Sequence, residues 1–272
     1  MTWVSDDLPP KVRISPRAWP RVAWRGTALI LLVFGGLALK LVLRLVERPV
    51  FGQHRPVTPF LTQAVCRAVL RVIGLRLTLH GRVMVGQGAL VANHASWLDI
   101  FVLNAAARVF FVSKAEVADW PGIGWLARAT GTLFVRRDRR DAARQTRLFA
   151  ERLRAGHRLL FFPEGTSSDG LRVLPFKTTL FAAFLAPGLR DALHIQPVSI
   201  IFHPVKGHDP RFYGWWGDMD FARHLLQVLA NPDPGRADLV FHTPLKMSEF
   251  ASRKDLAQAA EAAVRAGFNT HA

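Results

Sequence analysis

From about Leu75 onward, short apolar runs alternate with longer segments of helical period, and this alternation leaves few architectures open to the chain. Strand-like runs fall at Leu77–Val85, Ala89–Ala92, Val109–Val112, Thr132–Val135, Arg158–Phe162, Ile195–Ile201 and Asp238–His242. Helix-like segments lie at Trp97–Ala107, Gly122–Ala129, Arg140–Ala155, Phe176–Ala186 and Ser252–Ala266. The last has a capping pair, Ser252 and Asp255, at its start and Gly267 past its end. Strands and helices in turn predict an α/β domain, with a mixed, largely parallel central sheet flanked by helices. In such domains chemistry collects on the loops beyond the strand ends. Pro197 has no N–H to give a ladder, so the Ile195–Ile201 run is expected at an edge or a bulge.

The region before this domain has a different character. Residues 1–26 are rich in Pro and Arg, carry Trp3, Trp19 and Trp24, and read as an extended interfacial arm. The run Thr27–Val46 follows, free of charge only as far as Lys40. That is shorter than the ~20 apolar residues of a spanning helix. Snorkelling of Lys40 and Arg44 to the headgroups would extend it, so it is expected either to span marginally or to lie partly in one leaflet. Pro59–Leu77 reads as a basic amphipathic helix, with Leu61, Val65, Ala68, Val69 and Val72 on one face and Arg67 and Arg71 on another. Such a helix suits an anionic membrane surface. The expected organisation is an anchor over 1–58 and one catalytic unit over 59–272: the basic helix at 59–77, a motif-bearing core at 78–205 and a C-terminal part at 206–272.

The formal net charge of +16 over 272 residues calls for an anionic partner. Nucleic acid is disfavoured by the hydrophobic N-terminal segment and by the lack of any RNP box or zinc-finger spacing. The lone Cys66 rules out an internal disulfide, and no Cys/His spacing suggests a metal site.

Several loops carry reactive groups. In "NHASWLDI", Asn93 to Ile100, His94 follows a strand-like run and Asp99 falls in the first turns of a helix. There Asp99 can accept the Nδ1 proton of His94, leaving Nε2 as a base for a hydroxyl. In "GTLFVRR" a strand ends in Arg136 and Arg137. In "FFPEGTSSDG" a strand ends at Pro163, and Glu164, Gly165 and Thr166 follow in a tight turn whose N–H groups can approach a polarised oxygen.

In this order and spacing the blocks resemble the glycerolipid acyltransferase family, of the 1-acylglycerol-3-phosphate acyltransferase type. NHxSxxD is matched by Asn93, His94, Ser96 and Asp99; GxxFxxR by Gly131, Phe134 and Arg137; FPEGT by Phe162 to Thr166; a VPV-like strand by Gln196–Val198. The resemblance covers roughly residues 60–205. It implies transfer of a fatty acyl group from acyl carrier protein or coenzyme A to a lysolipid hydroxyl, with no metal and no further cofactor. His94 and Asp99 are then catalytic, and Asn93, Ser96, Arg137, Glu164, Gly165 and Thr166 bind substrate or shape the site. It further implies an inner-membrane enzyme with its active domain on the cytoplasmic face. The family's third motif carries arginine where Ser167 stands here, which removes a cation from the acceptor's phosphate. The "EGTSSDG" variant, with "GWWGDMDFARHL" after it, looks like a subgroup that includes lyso-ornithine lipid acyltransferases; Arg136, Arg172 and Lys177 are placed to restore the charge. Two other readings stay open: a non-catalytic lipid-binding relative, and a hydrolase using Ser96.

Overall fold

The computed structural model of the protein describes residues 3–5, 13–120, 122–135, 142–185, 193–205 and 207–272. A mixed sheet runs in the order β1-β7-β6-β2-β5-β3-β4. Its strands are β1 (Leu75–His80), β2 (Gly88–Ala92), β3 (Phe110–Lys114), β4 (Leu133–Val135), β5 (Leu159–Phe161), β6 (His194–His203) and β7 (Gly235–Phe241), with the short β8 (Leu245–Lys246) also paired to β6. The strands from β6 to β4 are mutually parallel, β7 runs antiparallel to β6, and β1 is parallel to β7. The late strand β7 therefore lies inside the sheet, so the C-terminal part completes the core rather than standing apart from it. Every residue of β2 is buried, as expected of a strand covered on both faces.

One face of the sheet packs against α1 (Trp19–Phe51), α2 (Thr58–Ile73), α3 (Asp99–Ala106) and α6 (Phe221–Ala230), through residues such as Leu70, Leu98, Leu103, Ile200 and Val228. The other packs against α5 (Ala142–Arg154) and α7 (Arg253–His271), through Phe149, Phe161, Phe181, Phe184 and Phe268. The helix α4 (Ile123–Thr130) precedes β4. The Ser252–Asp255 capping box forms at the start of α7. The stripe expected as a helix over Phe176–Ala186 holds only a single 3-10 turn, Phe181–Leu185, among the described residues.

Pro197 is not at an edge. It pairs with Val91 in the middle of the sheet, where the antiparallel partners leave a gap. The β7 ladder begins at Val198 and the β8 ladder covers only His194 and Ile195. The missing N–H falls between two partners, and the Pro197 carbonyl still accepts from His242 N at 3.0 Å.

The N-terminal segment also departs from the expectation. Residues 16–26 are helical, not extended, and the stretch Pro16–Phe51 is long and apolar enough to cross a membrane by length and composition. Lys40 does not snorkel. It is 4% exposed and donates to Thr62 Oγ1 at 2.7 Å, between α1 and α2. Arg44 turns to Glu47 at 3.0 Å. Glu47 in turn accepts from Val57 N, Thr58 N and Thr58 Oγ1, capping the start of α2. The charges that shorten the apolar run thus fasten α1 to its neighbour. Gly36 permits the close crossing, since a Cβ there would sit 2.5 Å from Val65 Cγ2.

The helix α2 ends at Ile73, with Gly74 as its left-handed cap, and Leu75 already belongs to β1. Its most buried apolar side chains are Cys66, Val69, Leu70 and Ile73, a stripe rotated from the expected one. Lying against both α1 and α3, it shares its apolar residues between two neighbours. Arg67 stays exposed, and its Nε donates to Ala105 O at 2.8 Å, closing the last turn of α3.

Candidate active site

His94 sits two residues past the end of β2, and Asp99 is the first residue of α3. The intervening turn folds back so that His94 Nδ1 lies 2.6 Å from Asp99 Oδ2. The same oxygen accepts Ala95 N at 2.8 Å and Ser96 N at 3.0 Å. Asp99 is fully buried, at the helix N-terminus, where the backbone dipoles favour negative charge. The His94 ring stacks on Phe162, with centroids 4.1 Å apart and planes 11° from parallel. With Nδ1 occupied and the side chain 21% exposed, Nε2 is the nitrogen left to work.

Asn93 and Ser96 lie beneath this loop. The Asn93 amide donates to Ile200 O at 2.9 Å and accepts from Ile200 N at 2.7 Å, extending the β2–β6 ladder one step past β2. It is 1% exposed, with both ends of the amide used. Ser96 is fully buried, and its Oγ accepts from Leu98 N at 3.4 Å. Both hold the histidine loop from below, so their place is positioning rather than contact with a ligand. The same burial of Ser96 removes the nucleophile that a hydrolase would need.

Glu164 joins the two loaded loops. Its Oε2 accepts from His94 N at 3.2 Å and its Oε1 from Leu174 N at 3.1 Å. Burial pushes this carboxyl well above the usual range, the two N–H donors oppose the shift, and nearby Asp99 adds to it. Gly165 takes a left-handed φ of 73°, and its N–H donates to Phe162 O at 3.1 Å, inside the turn. That N–H is therefore spent. Thr166 beside it is half-buried, and its N–H makes no hydrogen bond among the described residues. Ser168 closes the other side, its N donating to His94 O at 2.9 Å. Arg137 and Arg136 lie outside the described residues. Gly131, of the same motif, caps α4 and accepts from Arg152 Nη2 at 2.8 Å.

Three features of the site had no sequence signal. Asp169, 1% exposed, holds Arg172 through Nη2 at 2.9 Å and Nε at 3.2 Å, so the nearest substitute for the missing arginine is already paired. Trp3 N donates to Thr166 Oγ1 at 3.1 Å, and Arg172 lies over the Trp3 ring, so the N-terminal arm reaches the Glu164 turn. Trp97, inside the histidine motif, donates through Nε1 to His224 Nδ1 at 2.8 Å, and His224 Nε2 donates to Phe212 O at 3.1 Å. Burial pushes His224 down to about 4, the neutral form this chain of bonds requires. The segment "GWWGDMDFARHL" thus buttresses the histidine loop, helped by Trp215 N donating to Ala95 O at 2.8 Å.

Among the described residues, one group has metal-ligand spacing: His80, Asp238 and His271, with ligand atoms within 4.8 Å of one another. His203 Nε2 joins it, 3.2 Å from Asp238 Oδ2. His80 and His203 are therefore both partners of the buried Asp238 carboxylate. The His80 ring lies against that of His271, at the end of α7, with centroids 4.3 Å apart. The candidate site itself offers one histidine and two carboxylates, with both Glu164 oxygens and Asp99 Oδ2 taken up by hydrogen bonds.

The chain is similar to several known proteins. The family model described as "Acyltransferase" matches residues 76–201. The lyso-ornithine lipid O-acyltransferase of Rhodobacter capsulatus is 57% identical over 265 residues, covering 97% of this chain and 96% of the relative. That of Pseudomonas aeruginosa is 34% identical over 90% of this chain and 92% of its own. The 1-acyl-sn-glycerol-3-phosphate acyltransferase of Neisseria gonorrhoeae is 42% identical, but over only 38% of this chain and 41% of its own. The crystal structure of the 1-acyl-sn-glycerophosphate acyltransferase of Thermotoga maritima superposes with a TM-score of 0.66 at 22% identity, covering 93% of this chain and 95% of that one, a likeness of fold.

Proposed function

The chain belongs to the acyltransferase family and acylates a lysolipid hydroxyl; we propose that its preferred acceptor is lyso-ornithine lipid, and that His94 is the general base of the transfer. One observation carries the chemistry: the 2.6 Å contact of His94 Nδ1 with a buried Asp99 whose position two backbone N–H groups fix. Nε2 takes the proton of the acceptor hydroxyl as its oxygen attacks the thioester carbonyl carbon. Asp99 stabilises the imidazolium that forms. The tetrahedral oxyanion is met by the free Thr166 N–H, a donor of the kind worth about 3 kcal/mol in a preorganised site. The C–S bond then breaks, and the departing thiolate takes the proton back from His94. Glu164 braces the loop by holding His94 N and Leu174 N.

The acceptor assignment rests on charge. Ser167 supplies no cation, and Asp169 neutralises Arg172. A head group carrying both an amine and a carboxylate loses less from this than a phosphate monoester, which needs bidentate guanidinium contacts. The similarity to the R. capsulatus enzyme along nearly its full length supports the same choice. The donor is a thioester on acyl carrier protein or coenzyme A. The enzyme works at the cytoplasmic face of the inner membrane, held there by α1.

The test is a competition. Purified protein receives labelled acyl donors on both carriers, with lyso-ornithine lipid and lysophosphatidate present together. A ratio of kcat/KM favouring lyso-ornithine lipid at least tenfold is expected. A preference for lysophosphatidate overturns the acceptor assignment and leaves the acyl-transfer chemistry in place.

A further inference from the structure

The turn between α1 and α2 closes over the N-terminal ends of β3 and β5 and leaves a cavity of about 220 Å³. Its chemistry is one-sided. Arg55, Arg108, Arg158, His54 and His157 line it together with Phe110, and among its described lining residues there is no Asp or Glu. The cations gather around two rings: Arg55 lies 5.3 Å from the Phe110 centroid, Arg152 4.8 Å from the same ring, and Arg108 4.0 Å from that of Phe60. Stacking on a ring compensates a guanidinium only in part. Arg55 Nε and Nη1, and Arg158 Nε, are cut off from solvent with no hydrogen-bond partner among the described residues. The nearby carboxylate Glu47 is committed to Arg44 and to the start of α2. Burial, with Arg152 and Arg55 beside it, pushes His157 down to about 3, so the imidazole stays neutral among its charged neighbours. A cavity lined by cations of one sign, with little to offset the charge, suits an anionic ligand.

Its surroundings say which ligand. Leu45, Val46, Val50 and Phe51 on the last turns of α1, and Val57 and Phe60 after the turn, are all exposed. This apolar strip runs up to the mouth of the cavity, where Phe60 is itself part of the lining. An apolar surface that ends in a cluster of arginines matches the step from acyl chains to headgroups. The guanidinium fork suits phosphate oxygens. His157 and Phe162, the ring stacked on His94, flank β5 five positions apart in extended chain, roughly 16 Å. The cavity is thus at the opposite end of β5 from the reaction centre.

We propose that this cavity binds the phosphodiester headgroup of an anionic phospholipid, as a docking site separate from the acyl-transfer centre. The binding needs neither acyl donor nor acceptor, so its failure would leave the proposed reaction untouched. The test uses the full chain purified in a non-ionic detergent and titrated calorimetrically with dihexanoyl phosphatidylglycerol, then with inorganic phosphate. Saturable binding of one phosphatidylglycerol per chain is expected, with affinity falling tenfold or more in Arg55→Gln and in Arg158→Gln. Both variants should keep the parent's turnover, which reports that they fold. Inorganic phosphate should bind far more weakly than the lipid; equal affinity would assign the cavity to free phosphate and overturn the lipid as its occupant. Absence of phosphatidylglycerol binding, or binding unchanged when both arginines are replaced, overturns the proposal as a whole.

Discussion

Replacing Asp99 with asparagine separates charge from geometry at the reaction centre. Ala95 N and Ser96 N both point at the Oδ2 position. The asparagine side chain must therefore keep its oxygen there, since an NH2 group would face two donors. The oxygen still accepts from His94 Nδ1, the tautomer is preserved, and Nε2 remains free as a base. The NH2 group takes the Oδ1 position, which is buried and has no partner among the described residues, at a stability cost of about 1–3 kcal/mol. What disappears is the carboxylate's attraction for the imidazolium formed in the transition state. With charge centres about 4 Å apart and an effective dielectric constant near 20, that attraction is about 4 kcal/mol, or roughly 10³-fold in rate. Asp99→Ala, by contrast, strips all three donors of their acceptor and should fall to the background of a chain without His94. The assay is thiol release from an acyl thioester in the presence of lysolipid, at saturating concentrations, with folding followed by circular dichroism. An Asp99→Asn variant within tenfold of the parent would show that the carboxylate charge is not used. One as inactive as Asp99→Ala would show that the oxygen does not hold its place.

Other changes should act as follows. Glu164→Gln leaves either His94 N or Leu174 N without an acceptor, so its melting temperature should drop by an amount equivalent to about 1–3 kcal/mol despite the near-identical shape. Because burial raises the Glu164 pKa in the folded state, the folded chain binds this proton more tightly than the unfolded one; stability from this group is present at low pH and lost as pH rises above about 4.5, and a pH series of melting curves should show the slope diminished in Glu164→Gln. His224 has the opposite sign: held near 4 against an ordinary 6.5, it should make the protein lose stability as pH falls from 6.5 towards 4, and His224→Ala should lose that dependence along with the Trp97 bond. Asp169→Asn releases Arg172, and the ratio of kcat/KM for lysophosphatidate over lyso-ornithine lipid should rise by about tenfold, the worth of one charge-assisted contact.

How far the sequence could be read depended on the range of the interaction. The His94–Asp99 contact spans five residues, and a strand end followed by a helix start is enough to expect it. The turn at Gly165 was legible for the same reason, because a left-handed glycine is a local matter. The partners that hold the loop in place are remote in sequence: Asn93 on Ile200, Trp97 on His224, Glu164 on Leu174. Periodicity does not specify such pairs. Pro197 misled because the rule against proline inside a sheet concerns the donor it lacks, and here the gap between β7 and β8 leaves no acceptor to satisfy. Lys40 departs from expectation because a cation beside an apolar helix suggests snorkelling, while in the fold it is buried and meets Thr62.

The most direct measurement is single-turnover acyl transfer by His94→Ala, in membranes where the variant is present and folded, with the thioester donor already bound. If Nε2 of His94 removes the hydroxyl proton, the transfer rate falls by 10² to 10⁴-fold while donor binding is unchanged. A rate within tenfold of the parent would mean that another group removes the proton, and that the His94–Asp99 pair is not the base of the reaction.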